Sequence, residues 1–204
     1  ALVGLAYAAN DSQPDEDTHR TVMEGLFTTI TNVNFDNQAI SAQIEKTENE
    51  IKKLISRCGD YSSQCNRTYG YNVSGLWTSD EDIRSLKSLI LFGLKGMAAY
   101  AYHALMLGYT DEEVNQFFYK GLRAVGMDGA EMSDLLPLVL ETGQVNLKCM
   151  ALLDKANTET YGDPVPVKVP LTIEKGPFIV VSGHDLHDLY LLLEQTKDKG
   201  INIY

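Results

Sequence analysis

The residue type and setting most able to do chemistry lie near the carboxyl end: Ser182-Gly183-His184-Asp185-Leu186. The apolar run Phe178-Ile179-Val180-Val181 before it reads as a buried strand, with Gly183 as a tight turn that presents the histidine. Leu186 to Lys197 reads as an amphipathic helix, Lys199-Gly200 as its carboxyl cap, and Ile201-Asn202-Ile203-Tyr204 as a second short strand. Parallel sheets carry their chemistry at the carboxyl ends of strands, which is where His184 falls. An imidazole there has three readings: a satisfied buried polar group, a catalytic acid or base, or a metal ligand. Phosphate binding at Gly183 is disfavoured, because one glycine lacks the Gly-x-Gly-x-x-Gly spacing.

Upstream, the chain changes character. Tyr161-Gly162-Asp163-Pro164-Val165-Pro166-Val167-Lys168-Val169-Pro170 places three prolines in seven residues. They stop a helix and force extended backbone. Residues 1–162 read as a helical domain and 163–204 as the start of an α/β domain. One strand-helix-strand unit cannot cover both faces of its sheet, so the α/β part reads as truncated. The fold class expected is mainly α: a helical domain of two three-helix-bundle-like halves, followed by the first βαβ piece.

Within the helical part, Ala1 to Ala9 reads as a helix entered partway, and Met23 to Ile30 as an apolar-rich helix. Asp36 caps a helix over Asn37–Arg57, with Ile40, Ile44, Ile51, Leu54 and Ile55 on one face. Cys58 to Thr78, rich in Gly, Ser, Asn and Tyr, reads as a loop or hairpin linking the halves. A long helix follows from Ser79-Asp80-Glu81-Asp82 to Gly108. Its Gly93, Gly96, Ala98, Ala99 and Ala101 would let a neighbouring helix come close. Thr110-Asp111-Glu112-Glu113 reads as a capping box. Two more helices are expected, Ser133–Thr142 and Gln144–Tyr161. Asp15-Glu16 stands ten residues before Gly25-Leu26, and Asp111-Glu112 ten before Gly121-Leu122. A small-residue helix precedes each, which an internal duplication explains.

Composition narrows the classes. The chain has 204 residues, 44 % hydrophobic and 22 % charged, enough for a packed core. A net charge of −11 argues against nucleic acid and anionic membranes as partners. No run of 18 apolar residues predicts a spanning helix. The three cysteines, Cys58, Cys65 and Cys149, make no disulfide framework and fit no common zinc spacing, so a reducing, cytoplasmic setting is expected. The sequons at Asn66 and Asn72 are discounted for want of a secretory signal.

Phe178–Leu189, Leu192–Thr196 and Gly200–Tyr204 closely resemble the hybrid cluster protein family, also called prismane protein or hydroxylamine reductase. So do Gly25-Leu-Phe-Thr-Thr-Ile-Thr-Asn-Val-Asn-Phe-Asp36, Leu94–Ala101 and Met150–Gly162. The resemblance runs through nearly the whole chain in the family's order, departing at Cys58–Thr78. It implies a fold similar to carbon monoxide dehydrogenase, with a helical domain of two three-helix bundles before two α/β domains. It implies a cysteine-bound iron-sulfur cluster near the amino terminus and an iron-sulfur-oxygen hybrid cluster held by one histidine, two glutamates and several cysteines. The family histidine maps to His184, whose neutral imidazole suits iron in a mixed shell; Asp185 is a candidate to fix its tautomer. His187 is placed on the exposed helix face and given no role.

The implied activity is reduction of hydroxylamine to ammonia, with nitric oxide to nitrous oxide as a second reaction, fed by an electron donor. The family's amino-terminal cysteine motif would precede Ala1, and its first glutamate ligand would follow Tyr204. Cys58, Cys65 and Cys149 fall at no ligand position. The expectation is therefore an inactive amino-terminal piece of such an enzyme, with no cluster bound to it. The alternative is a free-standing acidic helical bundle that binds a protein partner through Tyr61, Tyr69, Tyr71 and Trp77.

Overall fold

The computed structural model describes residues 1–30, 34–57, 71–72, 74–183 and 185–204. The described residues are mainly helical. The elements are α1 (Leu2–Asp11), α2 (Glu16–Thr28), α3 (Asn37–Arg57), α4 (Ser74–Thr78), α5 (Glu81–Met106), α6 (Glu112–Val125), α7 (Met132–Tyr161), β1 (Phe178–Ile179), α8 (Leu186–Thr196) and β2 (Asn202–Ile203). They divide into two compact units, Ala1–Ala156 and Asn157–Tyr204.

In the first unit the helices begin where side chains can satisfy their open N–H groups. Asp15 makes a full capping box with Thr18: the Thr18 amide donates to Asp15 Oδ1 at 3.0 Å, and the Asp15 amide donates to Thr18 Oγ1 at 3.4 Å. Helix α2 therefore starts at Glu16, seven residues before the Met23 start read from apolar spacing. Asp36 accepts from the Gln38 amide at 2.8 Å, as expected for a cap on α3. Asp80 opens α5 and Asp111 opens α6, the latter accepting from Val114 N at 3.0 Å. The cap on α6 is thus one residue beyond Thr110. Gly108 ends α5 with φ +85°, a conformation a side chain would resist.

Helix α6 has the clearest core face. Val114, Phe117, Phe118, Gly121, Leu122 and Val125 recur at helical spacing and are all buried. It packs on α1 and α5; α1 also packs on α3, and α2 on α3 and α5. Leu5, Leu26, Leu54, Ile90, Leu94, Leu122 and Leu135 are fully buried, and each such side chain contributes about 1.5–3 kcal/mol relative to exposure.

The same close approach occurs in both helical hairpins. A Cβ on Gly25 would stand 2.8 Å from Leu2 Cδ2, and one on Gly121 would stand 2.8 Å from Leu94 Cδ1. Leu2 and Leu94 sit at matching places before Gly4 and Gly96 in the two similar stretches.

Several expectations are corrected. Residues 132–161 form one helix, not two. Gly143 lies inside it at a cost of about 1 kcal/mol relative to Ala, tolerated because the buried seam Leu135, Thr142, Val145, Cys149, Ala156 keeps its phase across it. On α3 only Thr47, Ile51 and Leu54 are buried, and Ile44 is 47 % exposed. On α5, Gly93 meets Thr142 but Gly96 faces open space. Residues 74–78, read as loop, form α4; residues 58–70 and 73 lie outside the described residues. Helix α5 is long and apolar enough to cross a membrane, contrary to the reading that no such helix exists. Here it buries Ile90, Leu94, Met97, Ala98, Ala101 and Ala104 in the protein core.

In the second unit β1 and β2 pair in parallel, Phe178 with Asn202 and Ile179 with Ile203. The ladder extends beyond the strands: Val181 N donates to Tyr204 O at 2.7 Å, and Asn202 N to Pro177 O at 2.9 Å. The strand expected to be buried is exposed, with Phe178 at 62 % and Val180 at 69 %. Two strands and one helix offer no second layer to cover that face.

Candidate functional site

His184 itself lies outside the described residues; its neighbours define the setting. The β1 strand leads to Gly183, whose φ of +152° only glycine adopts without strain. On the far side Asp185 is the amino cap of α8, its Oδ1 accepting from His187 N at 2.9 Å and Asp188 N at 3.4 Å. This carboxylate therefore has a capping role that the sequence reading, which offered it as a tautomer-fixing acceptor, did not assign. His187 is half-buried instead of exposed. The strand, turn and helix order required of a site at a strand's carboxyl end is thus present.

Tyr161, read only as a helix end, bears on the same region. Its ring lies 6.3 Å from that of Tyr190 on α8. Its hydroxyl is buried and has no hydrogen-bond partner among the described residues. Burial pushes the phenol up, and the Asp185 charge pushes it the same way.

Among the described residues, no three His, Cys, Asp or Glu side chains gather where they could hold a metal ion. Cys149 is buried against α5, its thiol donating to Met97 O at 3.4 Å. Burial pushes that thiol up to about 12, so it is a neutral thiol at neutral pH. The described residues do not form a complete cluster site. Cys58 and Cys65 lie outside the described residues, as do Tyr61 and Tyr69. Of the aromatics weighed for partner binding, Tyr71 is stacked on Tyr7 at 4.7 Å, while Trp77 is 56 % exposed.

The first unit holds two polar arrangements that sequence spacing did not reveal. Lys87 of α5 is buried and donates to Met127 O, clamping the turn between α6 and α7. It lines a cavity of ≈ 510 Å³ with Asp80 and Asp128, and burial lowers its affinity for the proton. The second is His19 of α2 with Tyr119 of α6, joined across 100 residues of sequence at 2.8 Å. No local pattern marks either pair, since each joins residues far apart in sequence that only the tertiary packing brings together.

The whole sequence, residues 1–204, matches the Prismane/CO dehydrogenase family. The chain belongs to that family. Its relatives include a protein named hydroxylamine reductase from Methanosarcina mazei, 44 % identical over 203 residues, which cover 93 % of this chain and 37 % of the relative. One of the same name from Porphyromonas gingivalis is 44 % identical over 91 % of this chain and 36 % of the relative. A third, from Caldanaerobacter subterraneus, is 45 % identical over 93 % and 38 %. This prismane-family chain thus spans somewhat more than a third of the length of the relatives it matches.

Proposed function

We propose that this chain is the helical domain, 1–162, and first strand-helix-strand unit, 163–204, of an iron-sulfur oxidoreductase that reduces hydroxylamine to ammonia. On this reading His184 supplies the imidazole ligand to the iron of an iron-sulfur-oxygen cluster. The observation that carries it is 44 % identity, over more than nine-tenths of the chain, to a protein named hydroxylamine reductase. The strand, Gly183 turn and Asp185-capped helix around position 184 support it, because they fix the backbone on both sides of the histidine.

The residues of this chain have positioning work to do in that scheme. Gly183 lets the backbone turn sharply; Asp185 anchors the start of α8; the parallel pairing of β1 with β2 holds the turn on a rigid strand. The cluster, when bound, would supply the electrons and the iron site for cleaving the N–O bond. Nitric oxide reduction and a separate electron donor belong to the same proposal, as does a cytoplasmic setting, which rests on cysteine usage alone.

The test uses a protein of the relatives' length carrying these residues. His184→Ala is expected to lose the iron of the mixed cluster and hydroxylamine reduction, while keeping the cysteine-bound cluster and the helical circular dichroism. A variant with unchanged iron content and electron paramagnetic resonance spectrum would remove His184 from the ligand set.

A further inference from the structure

Tyr119 is 1 % exposed. Among the described residues its hydroxyl has one hydrogen-bond partner, His19 Nδ1 at 2.8 Å. The imidazole side chain is 11 % exposed, and its Nε2 stands 3.9 Å from Glu112 Oε2. A phenol hydroxyl buried in this way needs an acceptor, so the arrangement selects the neutral imidazole with its proton on Nε2. A second proton, on Nδ1, would turn the one acceptor that the hydroxyl has among the described residues into a donor. The Tyr119 hydroxyl proton would then lose its partner among the described residues.

We propose that the His19–Tyr119 pair is a pH-operated latch between α2 and α6, closed while the imidazole is neutral and released when it takes a second proton. The surrounding charges do little to hold the protonated form closed. Asp15 and Glu16 lie on the α2 side with Arg20, and Glu112 comes from α6. Asp15 is already claimed by Arg57 at 2.8 Å and Lys53 at 3.1 Å from α3. Glu50 of α3 accepts from Thr18 at 3.0 Å and pairs with Lys53 at 3.2 Å. Glu112 is 71 % exposed at its side chain and is screened by water. Helix α5 brings Leu105 to this place and no charge among the lining residues.

Burial lowers the affinity of His19 for the proton, and the three nearby carboxylates, Glu112, Asp15 and Glu16, offset this only in part. A folded-state value below the unfolded one means that the latch's contribution is full above the unfolded value, about 6.5. It is lost as pH falls from there through the folded value. His19 and Asn115 line a cavity of ≈ 610 Å³, so the imidazole side of the pair has room for water.

The experiment titrates the imidazole by NMR in the intact 204-residue chain, with the His19 signal assigned through His19→Gln. Urea-unfolding midpoints are measured from pH 8 to pH 5 for both proteins and for Tyr119→Phe. His19 is expected to titrate below the ordinary value of about 6.5. The wild-type midpoint is expected to fall more steeply between pH 7 and pH 5 than that of His19→Gln. Tyr119→Phe removes the stranded donor, so the His19 titration should move upward in that variant, a readout that survives if His19→Gln does not fold. An imidazole titrating at the ordinary value, equal steepness in the two proteins, or an unmoved titration in Tyr119→Phe would each overturn the latch.

Discussion

Among single residues, the glycines separate packing from backbone preference most cleanly. Gly121 faces Leu94, a fully buried side chain that would have to shift to admit a Cβ. Gly121→Ala is expected to destabilise the chain by about 1–3 kcal/mol through overpacking, reduced by the better helix propensity of alanine. Gly96 faces open space on α5 and Gly143 does so on α7. Gly96→Ala and Gly143→Ala are expected to stabilise by about 0.5–1 kcal/mol each. Urea-unfolding midpoints of the three variants check this; a rise for Gly121→Ala would mean that the α5–α6 approach is looser than a 2.8 Å contact implies. None of this was readable beforehand. The sequence marks Gly93, Gly96 and Gly121 alike as small, and only the direction each one faces decides its role.

Helix starts carry the next level of organisation. Asp15 combines two duties, capping α2 and receiving Arg57 and Lys53 from α3. The Arg57 guanidinium beside it, with help from Thr18 and Lys53 and against the opposing cost of burial, holds its carboxyl well below the ordinary range. A lowered folded-state value means stability that is fully present above the unfolded value, about 3.9, and lost as pH falls through the folded one. The side chain is 38 % exposed, so solvent screening keeps the effect small. Asp15→Asn should keep the cap but flatten the acid limb of a stability profile below pH 4. Asp111→Ala should instead cost about 0.5–2 kcal/mol at neutral pH through the lost cap alone. Circular dichroism melts across pH test both. Element existence was legible here because caps and apolar spacing are local. Starts were misjudged where apolar spacing was followed in place of the cap, as at Met23 against Glu16. Helix α7 runs unbroken through Gly143 because the buried positions on either side of it share one phase.

The whole molecule combines a packed helical unit with a strand-helix-strand unit whose sheet is exposed. Phe178, Val180 and Leu171 face solvent, as expected of a sheet that lacks a covering layer. The purified 204-residue chain is expected to be colourless, with iron and sulfide at background; a brown sample with stoichiometric iron would show that these residues assemble a cluster unaided.

What the sequence by itself determined was the helical class, the acidic caps of α3 and α5, the end of a helix at the proline-rich stretch, the parallel β1–α8–β2 order and the likeness to the prismane family. These depend on neighbours within a turn or two, or on aligned runs of residues. Only the tertiary structure decided that Lys87 clamps Met127 and that Leu94 rides on Gly121. The same holds for His19 and Tyr119, which meet although 100 residues separate them. Such pairs are fixed by the angle and depth at which helices cross, and the summed packing of many side chains sets that geometry with no local signature.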